Sequence, residues 1–243
     1  MRGQIETFDS RRDRPSTSVA LQFSLTEMAA PVPQTDQPEG QYENVAGNFY
    51  DKYNSRNPLV RWMMRGFFEA FERLVLRSGA NTAHEIGCGE GNLSLRLARG
   101  GIAVRGCDVS EEIVKLARSR AHDGAMTIPF EVRSLYNLRA PADAAELIVC
   151  CEVLEHLPDP HRALEILAAL AQPYLIVSVP REPLWRVLNL CRLKYVADLG
   201  NTPGHIQHWG SRAFLQFLQQ RFDVLAVELP LPWTMALCRV RKS

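Results

Sequence analysis

The stretch Thr82-Ala83-His84-Glu85-Ile86-Gly87-Cys88-Gly89-Glu90-Gly91-Asn92 decides the fold. A short strand-like run passes into three glycines at alternate positions and then into a helical pattern over residues 92–99. Glycine at such a turn permits the bend and lets a ligand approach the backbone. The helix that follows aims its amide dipoles at that ligand. Asp108 closes the next strand, 17 residues after Gly91, where a carboxylate can accept hydrogen bonds from two ribose hydroxyls. Alone, these features admit a nicotinamide or flavin cofactor as readily as any other nucleotide.

Working outward, strand-like runs alternate with helical segments. Strands are expected at 82–86, 103–107, 130–132, 147–151 and 174–179, with helices at 92–99, 111–121 and 160–171. Strands separated by helices of this length imply parallel β-α-β units with right-handed crossovers. The end of the chain differs: a helix over 211–220 precedes strands at 222–228 and 233–240, joined by Pro230-Leu231-Pro232, a link suited to an antiparallel hairpin. The expected fold is therefore α/β and Rossmann-like, a seven-stranded, mostly parallel sheet with an antiparallel last strand. Upstream, Asn57-Pro58 caps a helix whose apolar positions Leu59, Trp62, Met63, Phe67, Phe71, Leu74 and Val75 recur at helical spacing up to Gly79. Residues 41–79 are read as an N-terminal helical lid, with Tyr50 and Tyr53 as candidate pocket residues, and 80–243 as the catalytic domain. Residues 181–210 break the alternation and read as an insertion after the fifth strand. Residues 1–40 hold too few apolar side chains to offset the entropy of ordering them, and read as a loosely attached tail.

A chain of 243 residues accommodates one good-sized α/β domain with a lid or tail. Charged residues are 23% and the net charge is +1, so nothing in the totals calls for nucleic acid or an anionic membrane. The six cysteines include no C-x-x-C pair, and several lie in apolar contexts where a reduced thiol packs as a small hydrophobe. No apolar run approaches the roughly 20 residues that span a bilayer, and the first residues lack a signal-peptide pattern. A soluble, unprocessed cytoplasmic protein is expected.

Glu152, Glu155 and His156 stand at i, i+3 and i+4, so one helical turn would bring them to one face beside the bound cofactor. Two carboxylates and an imidazole make an oxygen-rich site suited to Mg²⁺ or Mn²⁺ more than zinc. His205, leaving the insertion just before Trp209, is the candidate fourth ligand. Equally, His156 or His205 can serve as a general base, or cap a turn.

Glu85-Ile86-Gly87-Cys88-Gly89-Glu90-Gly91, Gly106-Cys107-Asp108-Val109-Ser110 and Glu152-Val153-Leu154-Glu155-His156-Leu157-Pro158-Asp159-Pro160 follow in order at the ends of the first, second and fourth strands. Together they resemble the class I S-adenosylmethionine-dependent methyltransferases over roughly residues 42–243. The resemblance implies Glu85 near the methionine ammonium, the Gly87, Cys88, Gly89 and Gly91 backbone around the methionine end, and Asp108 with Val109 at the ribose. It further implies Cys151 lining the cofactor site and Ser134 with Leu135 at the adenine. Ser134 stands where the family often has an acidic residue.

Within that superfamily, Glu152, Glu155, His156 and the distant His205-x-x-x-Trp209 resemble two metal-assisted groups, the ubiquinone-biosynthesis O-methyltransferases and the small-RNA 2′-O-methyltransferases. Both imply Glu152, Glu155, His156 and His205 as ligands of Mg²⁺ or Mn²⁺, with His156 and His205 as the catalytic imidazoles. The expected reaction is O-methylation of a small hydrophobic or aromatic acceptor. RNA 2′-O-methylation, carbon methylation of a prenyl or natural-product substrate, and a cofactor-binding module without turnover stay open. Trp185, Val187, Leu188, Leu190 and Leu193 make one side of the insertion apolar, while Arg181, Arg186, Arg192 and Lys194 charge another. A packed lid, a pocket wall for an anionic substrate, and a peripheral membrane contact all fit that pattern.

Overall fold

The computed structural model describes residues 57–191 and 205–241, without the side chains of 189–191. The expected tail, Tyr50, Tyr53, Arg192, Leu193 and Lys194 lie outside these residues, as does the side chain of Leu190. The helices are α1 (Pro58–Ser78), α2 (Asn92–Arg99), α3 (Glu111–Asp123), α4 (Pro160–Leu170), α5 (Leu184–Cys191) and α6 (Ser211–Leu218). The strands are β1 (Thr82–Ile86), β2 (Ala103–Asp108), β3 (Phe130–Val132), β4 (Ala145–Cys151), β5 (Ala171–Pro180), β6 (Phe222–Glu228) and β7 (Trp233–Val240). They form one sheet in the order β3-β2-β1-β4-β5-β7-β6. The first five are parallel, and β7 runs antiparallel to both neighbours.

Alternation along the strands divides the core in two. Leu147, Val149 and Cys151 of β4 pack with α1, α2 and α3 on one face. Ile148 and Cys150, one residue out of phase, pack with α4 and α6 on the other. Helix α1 starts as its sequence predicts: the Asn57 side chain accepts a hydrogen bond from Leu59 N at 2.9 Å, Pro58 occupies the first turn, and Gly79 ends it with φ 64°. Its apolar stripe, including Val60, Met64, Phe67 and Phe71, is buried in the first cluster. This part of the expected lid is thus a core layer.

Several boundaries shift by a few residues from the expectation, and two differences change the local structure. Strand β5 begins at Ala171, directly after α4 ends at Leu170, because Ala171 already pairs with Ala145 of β4. After β4, the α-helical turn expected at Glu152–His156 is a single three-residue 3₁₀ turn over Leu154–His156. Among the described residues, no helix is long and apolar enough to cross a membrane.

Candidate functional site

The parallel strands β1, β2 and β4 all end at one edge, where open α/β sheets bind ligands. At β1, Gly87 N and Cys88 N both donate to Cys107 O, at 2.8 and 2.9 Å, so the glycine turn is tied to the end of β2. Gly87 has φ 72°, and a Cβ there would stand 2.3 Å from Val153 Cγ2. Conformation and the close approach of the segment after β4 both demand glycine. At Gly89, with φ 52°, an added Cβ would meet nothing within 4 Å, so the turn opens onto free space there. That open face leaves room for a ligand to approach the backbone. Glu90, nearly buried, pairs with Arg120 of α3 at 2.6 Å and fastens the turn from the far side.

Asp108 is half-buried at the tip of β2. Its Oδ2 accepts from Gly89 N at 2.9 Å and its Oδ1 from Ser110 N at 3.1 Å. The carboxylate is thereby aimed across the glycine turn, with lone pairs left for a ribose diol. Val109 beside it is exposed. Glu85 is buried, and its Oε2 accepts from Ser94 N at 2.8 Å and Ser94 Oγ at 2.5 Å. Burial pushes the Glu85 carboxyl up to about 8, against the opposing pull of the Ser94 bonds. Cys88 and Cys151 are buried, and burial raises both thiols, so they act as packing. Ser134 caps the 3₁₀ turn after β3, its Oγ accepting from Tyr136 N at 3.3 Å, and Leu135 is buried in the second cluster.

The β4 end is built differently. Glu152 adopts φ 60°, one of two left-handed non-glycine backbones among the described residues. Its Oε2 accepts from Trp233 Nε1 at 2.5 Å and its Oε1 from Ser178 Oγ at 3.2 Å. The next two predicted ligands lie on the 3₁₀ turn, and the described part of the insertion returns to meet them. Ile206 N and Gln207 N both donate to Glu155 O, at 2.8 and 3.0 Å, and Gln207 Nε2 donates to Leu157 O at 3.1 Å. These bonds seat His205 edge-on to His156, with ring centroids 4.9 Å apart.

Ligand atoms of Glu155, His156 and His205 lie within 4.8 Å of one another. Glu152 does not belong to this group. The i, i+3, i+4 spacing presumes an α-helical turn, and the chain leaves β4 through a left-handed residue instead. One carboxylate and two imidazoles form a set that can hold a divalent ion. It is richer in nitrogen than the expected set and fits Mn²⁺ or Zn²⁺ better than Mg²⁺. Trp185 of α5 stacks on His205 at 6.1 Å and touches Trp233, which packs edge-on to Phe67.

His84, buried, places Nδ1 2.8 Å from Asp143 O, His161 packs on Phe217, and His208 lies 3.7 Å from Glu182, so none joins the group. Ser94, Trp233 and Ser178 are contacts that pattern reading misses. Each is a buried residue whose partner lies on another element, and only Ser94, in the first turn after the glycines, stood near a motif.

Residues 83–173 match the family model of a methyltransferase domain. A ubiquinone biosynthesis O-methyltransferase of Coxiella burnetii (strain Dugway 5J108-111) is 37% identical over 89 residues, covering 37% of this chain and 38% of that protein. The enzyme of the same name from Xanthomonas axonopodis pv. citri (strain 306) is 32% identical over 119 residues, 47% of this chain and 50% of that one. The matches thus span half or less of these relatives' length. Magnesium protoporphyrin IX methyltransferase from Synechocystis PCC 6803, solved with bound SAH, superposes with a TM-score of 0.60 at 21% identity, covering 77% of this chain and 89% of that one. The methyltransferase-domain match thus lies on this glycine turn and on strands β1 to β4 with the start of β5, and the likeness to the solved methyltransferase is one of fold.

Proposed function

We propose that the chain transfers the methyl group of S-adenosylmethionine to a hydroxyl of a small hydrophobic or aromatic acceptor, with a divalent ion at Glu155, His156 and His205. The observation that carries this reading is a juxtaposition at one sheet edge. Strands β1 and β2 end in the glycine turn and Asp108, and the segment after β4 supplies the carboxylate and two imidazoles. The Gly87–Gly91 backbone holds the methionine end, Asp108 the ribose, and Glu85 the ammonium side.

As the sulfur–methyl bond breaks, the oxygen–methyl bond forms, the electron pair leaves with sulfur and the hydroxyl proton goes to a base or to solvent. Such an in-line displacement needs alignment more than covalent help. An ion held by Glu155, His156 and His205 would supply Lewis-acid polarisation of the acceptor and so lower the pKa of its hydroxyl. An imidazole of His156 or His205 without metal would instead accept the proton directly.

The likeness to ubiquinone biosynthesis O-methyltransferases favours an oxygen acceptor over carbon or nitrogen. Val187 and Ile206, exposed on the two described arms of the insertion, favour an apolar acceptor or a peripheral membrane contact over RNA. Calorimetric titration of S-adenosylhomocysteine into the full chain tests the cofactor reading. Binding is expected, weakened at least about tenfold by Asp108→Ala through loss of the ribose hydrogen bonds. No binding by the wild type, or undiminished binding by the variant, overturns it.

A further inference from the structure

The two oxygens of Glu85 have different surroundings. Oε2 takes both the amide and the hydroxyl of Ser94, while no described residue donates to Oε1. Ser94 is the third residue of α2, and Gly91, which caps that helix, provides no side-chain hydrogen bond. A carboxylate accepting from the amide of the third helical residue does the work of an N-cap and complements the helix dipole. Glu85 does this from the preceding strand, so its carboxylate closes the glycine turn like a staple. Ser94 has no exposed surface, so water does not compete for its hydroxyl.

We propose that Ser94 is a positioning residue: by holding Glu85 Oε2 it presents Oε1 to the α-ammonium of the methyl donor, directly or through water, and so selects ligands that carry the amino-acid end. The inference rests on the cofactor reading above and deepens it. Burial drives the Glu85 carboxyl toward its neutral form, and the two Ser94 donors oppose this by favouring the ionised form. Removing the hydroxyl therefore frees the carboxylate to rotate and makes it less able to balance an ammonium.

The test compares two ligands on the full chain at neutral pH by calorimetry. S-Adenosylhomocysteine carries the ammonium, whereas 5′-methylthioadenosine shares the nucleoside and sulfur without it. Ser94→Ala is expected to weaken S-adenosylhomocysteine about tenfold and methylthioadenosine by less than about twofold. Ser94→Thr, which keeps the hydroxyl, should restore most of the loss. Ser94→Cys, of similar size but a weak donor, should reproduce the alanine contrast if the alanine variant fails to fold. Equal weakening of both ligands, as from a generally loosened turn, overturns the proposal, as does unchanged homocysteine affinity. Failure of the wild type to bind S-adenosylhomocysteine is a separate result that removes the cofactor reading itself.

Discussion

The two halves of the site are held in place by different means. At the β1–β2 edge the parts are close in sequence and multiply tied, through the two amides on Cys107 O, Gly89 on Asp108, Ser94 on Glu85, and Arg120 on Glu90. At the β4 edge, His205 reaches His156 across 49 residues, fastened mainly by two amides on one carbonyl and a glutamine side chain. The first half is over-determined and belongs to any nucleotide-binding member of the fold. The second depends on how the insertion seats. The family match over 83–173 contains the first half and the 3₁₀ turn, and ends before His205.

That contrast breaks most visibly at the proposed metal ligands. His205→Ala and Glu155→Ala should each weaken Mn²⁺ or Zn²⁺ binding by at least about 100-fold, since loss of even an outer-shell partner costs 10–100-fold. S-Adenosylhomocysteine affinity should stay within about twofold, because mutations at separate sites act independently. Titration of each ion and of the cofactor product into the same preparations separates the halves. Retained metal affinity in both variants would remove these residues as ligands, and a parallel loss of cofactor affinity would show the halves are not independent.

A smaller effect distinguishes two glycines of the same turn. Gly87→Ala meets both a left-handed backbone and a 2.3 Å contact with Val153, whereas Gly89→Ala meets only the backbone penalty, with open space around its Cβ. Gly87→Ala should cost about 3 kcal/mol of stability through overpacking and strain. Gly89→Ala should cost about 1 kcal/mol yet weaken S-adenosylhomocysteine more than its stability loss suggests, because the new methyl stands in the cradle. Urea unfolding paired with calorimetry reads both, and equal destabilisation would mean that Val153 yields.

The same division governs what was legible. Strand and helix alternation, the Asn57-Pro58 cap and the Gly79 stop are local signals, and the sheet follows from them. The glycine turn and Asp108 are legible because ligand-binding geometry there is backbone geometry. Glu152 misleads, because helical spacing carries no warning that a left-handed residue intervenes and that Trp233, 81 positions away, holds its carboxylate. The approach of His205 to His156 is readable only through the family resemblance, since hydrogen bonds between distant backbones leave no periodic trace. Ser94 stays hidden for the same reason: a serine in a first helical turn looks like an ordinary solvent-facing residue until the strand before it is folded back.

The smallest expected effect lies inside the rigid half and probes whether its stability is spent on function. The Glu85 carboxyl, with a folded value of about 8 against an ordinary 4.5, binds its proton more tightly in the folded chain than in the unfolded one. Its contribution is therefore fully present at low pH and is lost as pH rises through about 8, where the buried group must ionise. Glu85→Gln keeps the shape and an acceptor for Ser94 but cannot ionise. Its stability relative to the wild type should be near zero or negative at pH 6 and rise by about 1–2 kcal/mol by pH 9, a gain in Tm of about 2–8 °C at this chain length. The amide should also erase the preference for S-adenosylhomocysteine over methylthioadenosine, since, unlike the acid, it cannot give up a proton to meet the arriving ammonium. A pH-independent Tm difference would mean that Glu85 is ionised throughout and that the glycine turn is not strained by holding a buried acid. A pH-dependent gain with selectivity retained would move the ammonium contact to another residue of the cradle.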